Sequence, residues 1–295
     1  MSLDQVISIV ISVTLIEMSF ATGLSVRLAD VVGTAKDRQQ LLGAGLSNYV
    51  AVPAAAVTLI LLVDADPLIA AGILILAVCP GAPYGPPLAA LARGTTATSV
   101  GLMVILAGSS VVLAPLLLFL LLPLTTGRAD LHVDPLGMLA IIMVTQLLPL
   151  CCGLAISYWR PNLAARWLSL AVAISKILNA ATLVLILTSQ SPQLLDVVRP
   201  GGIMAMLILL GLSLGAGWIA GGPRRGNRKA VAVTTGIRNV GLGLMITVGT
   251  FPGTSAATAV LVYGLVQLLG SFLLAQWWRR SLMGEAQADG RTGTK

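Results

Sequence analysis

Charge is what this chain lacks most, and a single histidine and three cysteines leave it little chemistry of other kinds. Charged residues fill 10% of its 295 positions and hydrophobic ones 57%, with a mean hydropathy of +0.95. So few charges cannot cover a water-facing surface, which excludes a soluble globular fold and points to a polytopic membrane protein. Cys79, Cys151 and Cys152 all fall within apolar runs, where neither a disulfide scaffold nor a zinc cluster is expected, so free thiols are predicted. No CxxC pair, HExxH, phosphate-binding glycine loop or Ser-His-Asp grouping is present, and His132 reads as a surface histidine between Asp130 and Asp134. Glu17 is the one carboxylate inside an apolar run. An enzyme at bilayer depth would have no acid–base pair and no metal to work with, so none is expected.

What the chain has is long apolar runs: 5–28, 41–63, 67–92, 97–124, 135–158, 164–188, 202–221, 228–250 and 255–278. Each is long enough, at about 20 residues, to cross a hydrocarbon core of roughly 30 Å. The expected fold is therefore an all-α membrane protein with nine transmembrane helices in a single domain, 1–280, followed by a disordered tail, 281–295. The first run lacks a basic leader and a cleavage pattern and is expected to remain in the mature protein. Fourteen of the 18 cations, among them Arg27, Arg93, Arg160, Arg224 and Arg279, fall in one alternating set of loops and tails, whereas Arg128 and Arg199 occupy the other. This bias places the N-terminus outside and the C-terminus in the cytoplasm of a cell (inner) membrane. It also accounts for the net charge of +7, so the partner of the basic residues is the lipid bilayer and its topology signal, with no nucleic acid implied. Trp159, Trp277 and Trp278 sit at span ends as interface anchors.

Two stretches break a span where no loop belongs. One is Cys79-Pro-Gly-Ala-Pro-Tyr-Gly-Pro-Pro87; the other is Thr234-Thr-Gly-Ile-Arg-Asn-Val-Gly-Leu242. Backbone freed from helical hydrogen bonds inside a bilayer is tolerated only where it lines a protein-enclosed cavity or a ligand, so each break marks a candidate site. The interrupted third span is followed by a long one, and the interrupted eighth by the ninth. This echo suggests two repeats, about 5–124 and 135–278, whose broken helices run in opposite directions, an inverted-topology arrangement.

Several segments together resemble the bile acid:sodium symporter family: Cys79-Pro-Gly followed by Leu91-Ala-Arg-Gly94 and Ser99-Val, the early Phe20-Ala-Thr-Gly-Leu24, the stretch Asn48 to Pro53, and Gly236-Ile-Arg-Asn239. The likeness spans most of the chain and fits the family's nine-helix form, which lacks the first of ten helices. It implies a core domain with two crossing broken helices beside a flatter panel domain. It further implies an alternating-access carrier that binds a small organic anion at the crossing and is coupled to two sodium ions. Carried over residue by residue, the sodium sites are depleted. The family's Ser-Asn pair falls on Gly85-Pro86, a retained serine on Ser99, and a threonine one turn later on Met103. A glutamine of the second site falls on Asn48, and the shared glutamate and a further glutamine fall on Thr234 and Arg238. Only neutral oxygens from Asn48, Ser99, Thr234, Thr235 and the backbone remain, and an arginine repels a hard cation. The substrate-contacting asparagine is present as Asn239. Tyr84, Gly85 and Pro86 of the first break complete the expected substrate contacts.

Arg238 carries a charge at membrane depth, which costs several kcal/mol unless it is paired. Three partners are open to it: Glu17, the backbone carbonyls of the opposite broken helix, where it would substitute for sodium, or a substrate carboxylate or sulfonate. Lys176 and Asn179 lie three apart on the sixth span and share a face, with Ser175 adjacent. A channel or a sensor derived from the same fold would differ in showing no counterflow, or binding without flux. Should Glu17 exchange partners between Arg238 and Lys176, protons would replace sodium as the coupling ion. Transport would then follow a pH gradient in sodium-free buffer, and Glu17→Gln would exchange substrate without responding to that gradient; flux indifferent to pH would refute it.

Overall fold

The computed structural model describes residues 3–127, 133–189 and 197–292. Among them every regular element is a helix; His132 and Asp130 fall outside. Eight helical stretches are long and apolar enough to cross a membrane by length and composition. The remaining expected span, 67–92, is divided into α5 (Pro67–Ala77) and α6 (Gly85–Leu91). Neither piece can cross alone, because about 20 residues are needed.

Both interruptions have local causes. Pro80 lacks an N–H and disfavours helical geometry at Cys79, and Gly81 then adopts φ +85°, which its missing Cβ permits. A Cβ there would also stand 2.5 Å from the Ala107 nitrogen. The second interrupted span consists of α12 (Arg225–Gly236) and α13 (Val240–Thr250), with only 237–239 between them. Asn239 restarts the helix as an N-cap whose side chain accepts from the Leu242 N–H. The breaks are narrower than the sequence suggests. Thr234, Thr235 and Gly236 remain helical, and Gly85 to Pro87 already form the first turn of α6, where proline's missing N–H costs nothing.

Two other spans contain a π-turn. Ser47–Ala51 separates α3 (Arg38–Leu46) from α4 (Val52–Val63), and Met143–Leu147 separates α8 (Pro135–Ile142) from α9 (Leu148–Trp159). Each ends two residues before a proline, Pro53 or Pro149, whose missing N–H leaves the preceding carbonyls to find wider pairings. Each carries a buried amide, Asn48 or Gln146. An Asp-Pro-Leu sequence starts both α5 and α8: Asp66 accepts from the Leu68 and Ile69 N–H groups, and Asp134 from those of Leu136 and Gly137.

The basic loop after the first span contains a helix of its own, α2 (Leu28–Lys36), packed against α7 (Thr96–Thr126). α1 (Leu3–Ser25) lies between α9 and α10 (Pro161–Ser189) on one side and α13 on the other. α6 packs on α7 and α12, and α11 (Pro200–Ala220) packs on α12 and α4. The last helix, α14 (Ser255–Thr292), packs on α5 and runs on into the segment read from sequence as a disordered tail, where Leu282, Met283, Glu285, Ala286 and Gln287 are good helix formers. Cys79 is buried, whereas Cys151 and Cys152 are exposed on α9; all three are free thiols.

α1 and α9 cross at two glycines. A Cβ added to Gly23 would meet the Leu150 carbonyl oxygen at 2.3 Å, and one on Gly153 would meet that of Phe20 at the same distance. By contrast, Gly211 and Gly215 on α11 have nothing within 4 Å. Gly153→Val is therefore expected to lower the melting temperature of the detergent-purified protein strongly, while Gly211→Ala and Gly215→Ala leave it unchanged or slightly higher.

Candidate functional site

α5 and α12 approach each other from opposite ends of the chain's fold and stop where they meet. The Asn239 N–H donates to the Cys79 carbonyl at 2.8 Å, joining the two breaks backbone to backbone. Beside this junction the Arg238 side chain is 1% exposed. All five of its N–H groups have acceptors. Nε donates to Leu76 O at 3.5 Å, one terminal nitrogen to Asn48 Oδ1 and to Thr235 O at 3.4 Å, and the other to Asn48 O at 3.2 Å and to Ala77 O. Leu76 and Ala77 end α5, Thr235 lies in the last turn of α12, and Asn48 belongs to the first π-turn.

This placement is electrostatic as well as geometric. A helix C-terminus is equivalent to about −0.5 elementary charge, so two of them offset roughly one positive charge. The guanidinium is thus met by dipoles and neutral oxygens, with no carboxylate among its acceptors. Gln267 of α14 fixes the backbone of the same residue: its Oε1 accepts from the Arg238 N–H and its Nε2 donates to the Arg238 carbonyl, both at 2.9 Å. Asn48 is held in turn, donating from Nδ2 to Ala44 O at 2.8 Å and to Thr235 Oγ1 at 3.0 Å.

A second cluster adjoins the first through the neighbouring threonine. Ser99 and Thr234 hydroxyls lie 2.7 Å apart, and Thr234 also donates to Ala230 O at 2.8 Å. Gly85 faces this pair: a Cβ there would stand 3.5 Å from Thr234 Oγ1 and 3.7 Å from Ser99 Oγ. The structure therefore brings Asn48 and Thr235 together around Arg238, and Ser99, Thr234 and Gly85 together beside them. As a donor set for a hard cation they are sparse, being hydroxyls, amides and carbonyls without a carboxylate, one group already holding a guanidinium. Among the described residues no three or more His, Cys, Asp or Glu side chains gather into a metal site.

On the other side of the junction a cavity of about 170 Å³ opens between the breaks and α1, α10 and α14. Ala82, Pro83 and Tyr84 line it from the first break and Ile237 to Gly241 from the second; Thr14, Asn179, Thr182 and Gln267 give it polar points. Asn239 is oriented from behind, its Nδ2 donating to Gln146 Oε1 at 3.0 Å, while Gln146 Nε2 donates to Ala107 O at 2.8 Å. Gly85 and Pro86 are buried in the first turn of α6 and do not line the cavity.

Glu17 lies elsewhere. Its Oε2 accepts from the Ser175 hydroxyl at 2.6 Å, and its Oε1 is buried without a partner. Neither pairing expected for it forms: Arg238 spends its donors on the junction, and Lys176 is exposed on α10. The inward face of α10 is Ser175, Asn179 and Thr182, a stripe at i, i+4 and i+7, and Lys176 stands off that stripe by one helical step. Sequence reasoning passed over Gln146 and Gln267, the partners that hold residues 238 and 239. Their signal was there, an amide near the middle of an otherwise apolar span.

A family model described as the sodium bile acid symporter family matches residues 12–209. A Bacillus subtilis (strain 168) protein described as an uncharacterized sodium-dependent transporter, YocS, is 24% identical over 286 residues, which cover 95% of this chain and 86% of that protein.

The double hydrogen bond of Gln267 predicts a large effect from a small change. Gln267→Leu keeps the volume but strands one buried N–H and one buried carbonyl, at about 1–3 kcal/mol each. Thermal unfolding should show a loss of about 2–6 kcal/mol by that count, with Gln267→Glu, which keeps only the acceptor, falling between the two.

Proposed function

Because the chain belongs to the sodium bile acid symporter family, and so to multi-pass membrane transporters rather than enzymes, we propose that it carries a small organic anion across the cell membrane by alternating access. The observation that carries this reading is the cavity where both broken helices meet. Its lining is apolar for the most part, with a few polar points that orient a ligand. The first N–H groups of α13, those of Val240 and Gly241, need no partner inside their helix and belong to cavity-lining residues. Together with the helix dipole they suit a carboxylate or sulfonate. Arg238 supplies positive potential from behind without reaching the ligand, its donors being engaged. Asn239 and Tyr84 frame the anion, and Thr14, Asn179 and Thr182 face it from α1 and α10.

Size selects among anions. A volume of 170 Å³ is below the roughly 300–1,000 Å³ of pockets for drug-sized ligands, so the state described suits a small anion better than a steroid. In the proposed cycle the crossing, joined as one body, moves against α1 and α10, with the N-terminus outside and the C-terminus in the cytoplasm. Sodium is the coupling ion that the family name and the relative's name suggest, and Ser99 and Thr234 are the hydroxyls available for it.

Proteoliposomes preloaded with single carboxylates or sulfonates of increasing size test the proposal. Saturable counterflow is expected for the smaller ones, and Thr182→Trp, which fills the cavity from α10, should abolish it while the protein stays folded. Flux without saturation or counterflow would refute a carrier and favour a channel.

A further inference from the structure

The oxygens around Arg238 form an uncharged cage for a positive group. Five surround the guanidinium, namely Leu76 O, Ala77 O, Thr235 O, Asn48 O and Asn48 Oδ1, each meeting one of its N–H groups. Three belong to the ends of α5 and α12, where carbonyls run short of helical partners although Leu76 O also accepts from the Cys79 N–H, and two to a π-turn whose wider pitch turns Asn48 inward. Unwound carbonyls and half-helix C-termini at a midplane break are the arrangement by which membrane carriers hold monovalent cations. All five donors are uncharged, which suits a single positive charge better than a double one. Emptied of its charge, the cage would leave two converging dipole ends uncompensated in a region of low dielectric.

We infer that Arg238 is a tethered cation permanently filling a monovalent-cation site at the crossing, so that the protein supplies from its own chain a charge that would otherwise be taken up from solution. The inference rests on the transport reading and makes it more specific. Cation uptake at this site is replaced by a fixed guanidinium, leaving Ser99 and Thr234 as the remaining place for an exchangeable ion. A merely structural arginine would be expected to seek a carboxylate, and Glu17, the one acid within a membrane span among the described residues, is instead bonded to Ser175. The five matched donors and acceptors also explain why lysine would be a poor replacement, since an ammonium offers three donors in place of five.

The test is chemical rescue in the full-length purified protein. Arg238→Ala is unfolded thermally while guanidinium, sodium or potassium chloride, at concentrations too low to denature, replaces choline chloride at constant ionic strength. The expected result is a melting temperature several degrees below wild type in choline, recovered saturably by guanidinium or sodium, while the wild type gains little from guanidinium and less than the variant from sodium. Should Arg238→Ala give no folded protein, Arg238→Gln, which keeps an amide donor for Ala77 O, takes its place with the same expectation. Recovery by none of the ions, a wild type stabilised by sodium as much as the variant, or failure of both variants in every salt would each overturn the inference. The readout needs no flux. A protein that rescues as expected yet shows no counterflow would sink the carrier reading alone, and one that shows counterflow without rescue would sink the tethered cation alone.

Discussion

A full positive charge buried at membrane depth has to be answered by oxygen, and the centre of this protein is built around that demand. Leaving the Arg238 guanidinium unmatched would cost several kcal/mol or more. It is answered by two helices that stop early, a third that widens into a π-turn, and a fourth that lends Gln267 to hold the arginine's backbone. Pro80 ends α5 and so leaves the Ala77 carbonyl to the guanidinium, and Asn48, held by Ala44 O and Thr235 Oγ1, presents both of its oxygens to it.

Neighbouring residues divide the electrostatics of the site between two faces. Arg238 turns into the cage formed by helix C-termini, while Val240 and Gly241 open the N-terminus of α13 towards the cavity. Asn239 stands between and ties the halves together, through its backbone to Cys79 and its side chain to Gln146. Cations are thereby favoured on one face of the junction and anions on the other, within four consecutive positions. The glycine crossing of α1 and α9 keeps the neighbouring wall close. The outer side of α10, with exposed Leu170, Ile177 and Val184, bears no such duty.

Much of this is legible in the sequence because the relevant signals are strong and local. Hydropathy marks the spans, Pro80, Gly81 and Pro83 mark one break, and a lone arginine in an apolar run marks the other. What the sequence hides depends on three-dimensional phase. That the breaks are short follows from proline being harmless in a first helical turn, which pattern alone cannot place. The π-turns shift the helical register ahead of Pro53 and Pro149, bringing Asn48 and Gln146 inward. Lys176 and Asn179 share a face by spacing, yet Lys176 falls just outside the stripe that α10 buries. Gln267 is readable as a mid-span amide, but its partner, a backbone unit freed by a break almost thirty residues earlier, is not.

The guanidinium at the crossing also has an electrical consequence. In a carrier that binds a dissolved cation, the charge leaves with the cargo and the empty protein returns neutral. A charge fixed to the chain inverts this: with one monovalent anion aboard the moving site is neutral, and the empty return carries the positive charge. Each 100 mV it traverses is worth about 2.3 kcal/mol. In a cell with a negative interior, that field pulls the empty site inward and resists its outward return. Without a co-bound ion, membrane voltage would therefore favour cycles that load inside and release outside, whereas one sodium ion carried at Ser99 and Thr234 would make the cycle electroneutral and remove that bias.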